Sequence, residues 1–335
     1  KEARRHIDYI MDGKRRGNLN ALSTIYHAEW SEHHEDETLV HWAKKTLDER
    51  VKDYEGGPIG RWADAGRTLA RPYTKLHAGF KELGLLDEKI PYGPADRQLP
   101  RREAYARMFK SEFDHYHKRR RTFTNQTYYS NSGLYFLNRA LQQLKPGAAL
   151  PEAQARWFVH EAFGMVPFGK GMDTWWADSM KAGFPLHVVT DKGLTRELGY
   201  AKGYGEMTMT YATFAEDVGC PLLKERAAEM FRARMRFRMP YNTMGTGNYG
   251  KFGVSTDRKG YRTLRVIGCL GWRGRHYPGT SRYGQRSGAW AEAALLGDPA
   301  AIRLAELYVE HGHVYHNVKI RLDAWHGHRE GIRRG

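Results

Sequence analysis

Apolar residues recur at helical spacing through most of the chain. Over residues 36–53, Leu39, Trp42, Ala43 and Leu47 fall on one stripe. Over residues 62–84 Ala63, Leu69, Leu76 and Phe80 do the same, interrupted by Pro72. The spacing also predicts helices over 101–117, 129–144 and 151–163, the last two separated by Pro146-Gly147 and Pro151. Residues 205–217 and 221–238 pair across Gly219 and Pro221, and residues 286–296 and 299–311 pair across Gly297-Asp298-Pro299. Strand signals are weak and confined to Leu186–Val189 and Tyr261–Leu270. The absence of βαβ alternation argues against a Rossmann or TIM architecture. Helical hairpins following one another with short turns predict an all-α fold. The expectation is a solenoid or its closed form, an (α/α) toroid (an incomplete barrel of helical hairpins with minor β), as one domain over residues 1–335.

Three segments break the pattern. Residues 121–139 open as a polar, aromatic stretch and close as an apolar helix, in which Leu134, Leu137 and, two residues past the segment, Leu141 fall at helical spacing. Thr124 and Thr127 are candidate caps, which would put Asn125, Asn131 and Tyr128 or Tyr129 at or near a helix N-terminus, an end suited to a carboxylate or phosphate. The alternative is a capping loop on a core helix. Residues 164–205 and 239–290 are long, Gly-rich and aromatic; loops of that length in a compact domain are usually functional or disordered, and their Trp, Tyr and His argue against disorder.

Composition narrows the partners. A formal net charge of +16, with 20 Tyr, 9 Trp and 16 His, favours a polyanion: nucleic acid, anionic lipid or an acidic polysaccharide. No zinc-knuckle spacing or RNA-recognition signature accompanies it, so nucleic acid is not the expected partner. No run of 18 apolar residues is present, so no membrane span is expected. The chain opens at Lys1-Glu2-Ala3, helix-like from the first residue, as part of a longer chain would be, and no signal peptide is visible. Cys220 and Cys269 allow at most one disulfide.

The chemistry-bearing residues concentrate in the long loops. Trp175-Trp176 could floor a sugar subsite, against the reading of one core and one surface ring. His187 lies in a short apolar run, where a hydrogen-bonded core histidine competes with a catalyst. Arg232, Arg234, Arg236 and Arg238 alternate and would wrap around a helix, so at least one should point inward or toward an acid. Gly245 and Gly247 lack the Lys-Ser/Thr of a phosphate-binding loop. His311-Gly312-His313 and His326-Gly327-His328 are wrongly spaced for a helical metal pair, and no metal site or cofactor is expected.

The Thr124-Asn125-Gln126 segment, the Tyr-rich helix ending Leu137-Asn138-Arg139-Ala140-Leu141 and the downstream His187 resemble uronate polysaccharide lyases with an α/α toroid. So do Gly193-Leu194-Thr195-Arg196-Glu197-Leu198-Gly199-Tyr200 and the late Arg and Tyr residues, most closely polysaccharide lyase family 38, the glucuronan and alginate lyases, over residues 60–320. The resemblance implies β-elimination on a 1,4-linked polyuronate by a secreted or periplasmic enzyme without a cofactor. Carried onto this chain, Asn125 and Arg236 would neutralise the C6 carboxylate, His187 would be a base or orienting partner, and Tyr241 the general acid/base; Arg238 could replace Arg236, and Tyr249 could replace Tyr241. Asn131, Trp175, Trp176, Tyr204, Arg238 and Tyr249 would contact substrate. The C5 proton is weakly acidic, so charge developing at the carboxylate must be stabilised. A tyrosine, near pKa 10 when unperturbed, needs adjacent cations such as Arg236 to act as a base at neutral pH. Where H5 and O4 are syn, as the resemblance suggests for mannuronate, one Tyr serves both proton transfers; where they are anti, a separate base such as His187 is needed.

Two other functions compete. A glycoside hydrolase on an α/α scaffold would need two carboxylates, for which Asp173, Asp178, Glu197 and Glu206 are candidates. A non-enzymatic polyanion-binding solenoid would need only the charge and the aromatic rings.

Overall fold

The computed structural model describes residues 7–8, 10–11, 18–95, 97–120, 124–168, 187–195, 208–235, 254–256, 262–270, 276–280 and 289–310, and it is predominantly helical there. The chain forms two compact units, one drawn from Lys1–Thr122 and Gln126–Ala162, the other from Phe123–Asn125, Phe163–Phe168 and Pro185–Gly335. Among the described residues, no helix is long and apolar enough to cross a membrane.

In the first unit, α1 (Leu19–Tyr26) and α2 (Glu37–Lys52) begin at side-chain caps. Asn18 accepts the Ala21 N–H, and Asp36 accepts the Thr38 N–H at 2.8 Å. A π-helical turn, Gly66–Ala70, runs without a break into α3 (Arg71–Glu82). Pro72, the second residue of α3, stands where the π turn passes into α pitch, and the helical path continues through it. A short antiparallel hairpin follows, β1 (Lys89–Tyr92) with β2 (Arg97–Pro100), in register Lys89↔Pro100 to Tyr92↔Arg97. Then come α4 (Arg101–His117), α5 (Thr124–Leu144) and α6 (Glu152–Ala162).

Tyr73, Phe80, Tyr105 and Phe109, all fully buried, meet at edge-to-face or tilted angles and form an aromatic core. Beside it Arg101 is buried at the start of α4. It grips both carboxylate oxygens of Asp48 at 2.9 and 3.0 Å, donates to Glu88 at 2.9 Å and to the Leu85 carbonyl, and so ties α2, the approach to the hairpin and α4 together. Tyr105 adds its hydroxyl to Asp48 at 2.6 Å. Arg101 itself is buried while Asp48 and Glu88 reach solvent, so losing the carboxylates would leave a buried guanidinium without its counter-charge.

In the second unit, α7 (Thr208–Val218) and α8 (Pro221–Met235) pack on one another and on α9 (Ala289–Leu296), which packs on α10 (Pro299–Glu310). Buried Asp298 caps α10 through the Ala300 and Ala301 N–H groups and receives Arg232 Nε at 2.6 Å. One arginine of the alternating set thus does turn toward an acid. Along the chain, between these two helix pairs, comes a three-stranded antiparallel sheet, β3 (Val254–Thr256), β4 (Arg262–Leu270) and β5 (His276–Thr280), with β4 central and a bulge between Val266 and Cys269. Cys220 is a free thiol.

Candidate functional site

Helix α5 starts at Thr124, five residues before the apolar periodicity begins. Thr127 therefore lies inside the helix and does not cap it, and Asn131 falls in its third turn, away from the N-terminus. The opening turns are polar yet buried: Asn125, Thr127, Ser130, Asn131 and Ser132 are each at most 6 % exposed. Polar groups survive burial when hydrogen-bonded. Asn131 donates to the Phe158 carbonyl at 2.9 Å and to Glu161 Oε2 at 3.0 Å. Glu161, with no exposed surface, also takes Arg120 Nη1 on Oε2 and the Trp157 indole N–H on Oε1 at 2.7 Å. Asn131, expected to contact substrate, thus commits its amide N–H groups to holding α5 on α6; its Oδ1 and the Ser130 hydroxyl find no partner among the described residues. Asn125 sits in the second position of α5 and is buried, which withholds its Asn-Gln-Thr acceptor amide from a glycan.

His187 is half-buried and its Nδ1 lies 2.9 Å from the Gly164 carbonyl. A carbonyl only accepts, so Nδ1 carries a proton, and the tautomer this selects in a neutral imidazole leaves the lone pair on Nε2. Gly164 is at φ +67°, and a Cβ there would meet the Val189 carbonyl at 2.4 Å, so the approach that seats His187 requires glycine. The turn beyond is closed by Val189↔Thr195 pairing and by Thr190 N–H to the Leu194 carbonyl at 2.8 Å. Arg226 of α8 braces it, donating to the Thr190 carbonyl at 2.7 Å, the Asp191 carbonyl at 3.1 Å and the Phe163 carbonyl at 3.3 Å. Reading the sequence missed Arg226, because a guanidinium serving backbone carbonyls leaves no motif.

The apolar spacing places Trp62 and Ala63 in a helix over residues 62–84, but the helix begins only at Asp64, because the two residues before it turn the other way. Trp62 and Ala63 both adopt left-handed backbone, φ +54° and +55°. For residues with a Cβ that costs about 1–2 kcal/mol each, which the surroundings must over-determine. They do. Ile59 N–H donates to Glu112 Oε1 at 2.7 Å, the Tyr116 hydroxyl donates to the Gly60 carbonyl at 2.9 Å, and Arg67 donates to Asp64. Gly66 and Gly133 lie backbone against backbone: a Cβ on Gly66 would meet the Gly133 oxygen at 2.1 Å, and one on Gly133 the Ala63 oxygen at 2.3 Å. The turn presents Trp62 stacked on Tyr129 of α5, ring centroids 6.4 Å apart and planes 15° from parallel, with the Arg67 guanidinium 4.2 Å from the centre of the Tyr129 ring.

Burial pushes the phenols of Tyr26, Tyr73, Tyr92, Tyr105 and Tyr116 above their ordinary value and those of Tyr54 and Tyr135 to about 12. None of these seven suits a phenolate base. Arg236, Tyr241, Trp175, Trp176, Tyr204, Arg238 and Tyr249 lie outside the described residues, as do the carboxylates Asp173, Asp178, Glu197 and Glu206. Comparison with protein-family models, curated proteins and solved structures finds no match.

Proposed function

We propose that this chain is a polysaccharide lyase that cleaves a 1,4-linked polyuronate, glucuronan or polymannuronate, by β-elimination on an (α/α)-toroid scaffold. The observation that carries the reading is the seating of His187. With Nδ1–H held by the Gly164 carbonyl, the ring is oriented so that Nε2 of the neutral imidazole is the acceptor, and the chain around it carries a net charge of +16 that favours a carboxylate-bearing substrate. In the reaction His187 Nε2, or a tyrosine where H5 and O4 are syn, removes H5. The electron pair forms the C4–C5 double bond as the C4–O4 bond breaks, and Tyr241 or Tyr249 protonates the departing O4. Asn125, with Arg236 or Arg238, offsets the charge that builds on the C6 carboxylate. A polymer substrate of this kind places the enzyme outside the cytoplasm.

Incubation of the protein with glucuronan and with polymannuronate should release unsaturated ends that absorb in the ultraviolet. His187→Ala should lower kcat on the glucuronan by roughly 100-fold or more while the thermal midpoint stays within a few degrees. Products with ordinary reducing ends and no ultraviolet signal would replace the lyase by a hydrolase, and silence on both polymers would remove the reading.

A further inference from the structure

Four observations meet at the turn before α3. The backbone of Trp62 and Ala63 is strained. The strain is locked in by the Gly66–Gly133 contact and by Glu112 and Tyr116 beneath. The product of that strain is a half-buried indole laid on Tyr129. Arg67, over the same Tyr129 ring, keeps a buried Nε with no partner among the described residues while another of its nitrogens donates to Asp64, a carboxylate 39 % exposed. A core ring would not need a distorted backbone to hold it, and a solvated ring would not need a floor.

We infer that Trp62, Tyr129, Arg67 and Asp64, none of them among the residues assigned to elimination, form a sugar-binding platform for one acidic pyranose unit. The outer indole surface stacks on the C–H face of the ring, Arg67 answers the ring carboxylate, and Asp64 accepts from ring hydroxyls. The pairing of a cation with an exposed carboxylate selects the ligand. A nucleic-acid backbone would bring phosphate against Asp64, whereas a uronate carries one acid group and several hydroxyl donors and satisfies both partners. This assignment rests on the polyuronate reading for the identity of the sugar, and on the geometry alone for the platform.

The test is fluorescence anisotropy of an end-labelled tetraglucuronate mixed with the full chain and read within seconds, before product accumulates. Trp62→Ala should weaken binding roughly tenfold, Trp62→Phe by much less, and Arg67→Met should abolish the preference for tetraglucuronate over neutral cellotetraose. Circular dichroism of each variant reports the fold, and Trp62→Phe keeps the question open to an answer if Trp62→Ala unfolds. Unchanged affinity in folded Trp62→Ala, or equal loss in Trp62→Phe and Trp62→Ala, overturns the platform. Tighter, Trp62-dependent binding of a labelled single-stranded oligonucleotide overturns it in favour of nucleic acid. Ultraviolet-absorbing product from the wild-type chain reports on the lyase reading independently, so either conclusion can fall while the other stands.

Discussion

Glu112 has no exposed surface, and loss of hydration pushes its carboxyl up to about 7, against the opposing pull of the Ile59 N–H. The folded chain thus holds this proton more tightly than the unfolded one, whose carboxyl has its ordinary value of 4.5. Stability from this group is complete below about 4.5 and falls as pH rises toward about 7, by roughly 3 kcal/mol in all, with no further loss above. Glu112→Gln keeps an acceptor for Ile59 and cannot ionise. It should flatten the fall in thermal midpoint between pH 4.5 and 7, and an unchanged slope would assign it to another group. The neighbouring phenols of Tyr54 and Tyr116 are both pushed upward and do not compete in that window. Single residues were unevenly legible. Asn125 stands out in the sequence through its polar neighbours, and it is buried. His187 stands out as a histidine among apolar residues, but its value as an acceptor depends on Gly164, 23 positions away, and on Arg226. Glu112 reads as an ordinary helical glutamate, because nothing local announces that Ile59 arrives 53 residues earlier in the chain.

Elements were legible where apolar spacing and caps agree. The spacing predicts a helix over 101–117 and α4 spans Arg101–His117; residues 36–53 become Glu37–Lys52, because Asp36 caps the helix from outside. Helix α5 exceeds its periodic part, since its first turns bury polar side chains against hydrogen-bonding partners, and periodicity counts only apolar residues. The β1–β2 hairpin was invisible because Pro91 and Pro100 blur four-residue strands. In the three-stranded sheet β4 was read within a residue, but β5, His-Tyr-Pro-Gly-Thr, carries two strand-breaking types. The most consequential contact between elements is the one between the π turn and α5. Gly133→Ala would force a Cβ to within 2.3 Å of the Ala63 oxygen. It should cost roughly 1–3 kcal/mol by urea denaturation and, by moving the turn, weaken tetraglucuronate binding as much as Trp62→Ala does. Affinity retained beside lost stability would show that the turn does not set the platform.

At the scale of the molecule the net charge of +16 belongs to the chain rather than to any one motif. Charges of this kind act on a polyanion through a salt-screened field. Raising ionic strength from about 0.05 to about 0.3 M should therefore weaken binding of a long polyglucuronate by roughly tenfold or more, while cellotetraose binding stays flat. Equal salt response of both ligands would place recognition in uncharged contacts. Predominant helicity was plain from the sequence; how helical pairs are arranged in space is a long-range property that short spacing does not encode. The three-stranded sheet was legible only as a single strand signal.

The π turn at Gly66–Ala70 holds one residue more than an α-helix would place there. Excising exposed Thr68 would return that turn to ordinary α pitch and rotate everything before it by about 100° relative to α3. Trp62 would leave Tyr129 with every side chain of the pair still present. Chain length at this point, counted to a single position, therefore governs the stack as strictly as the choice of amino acid does.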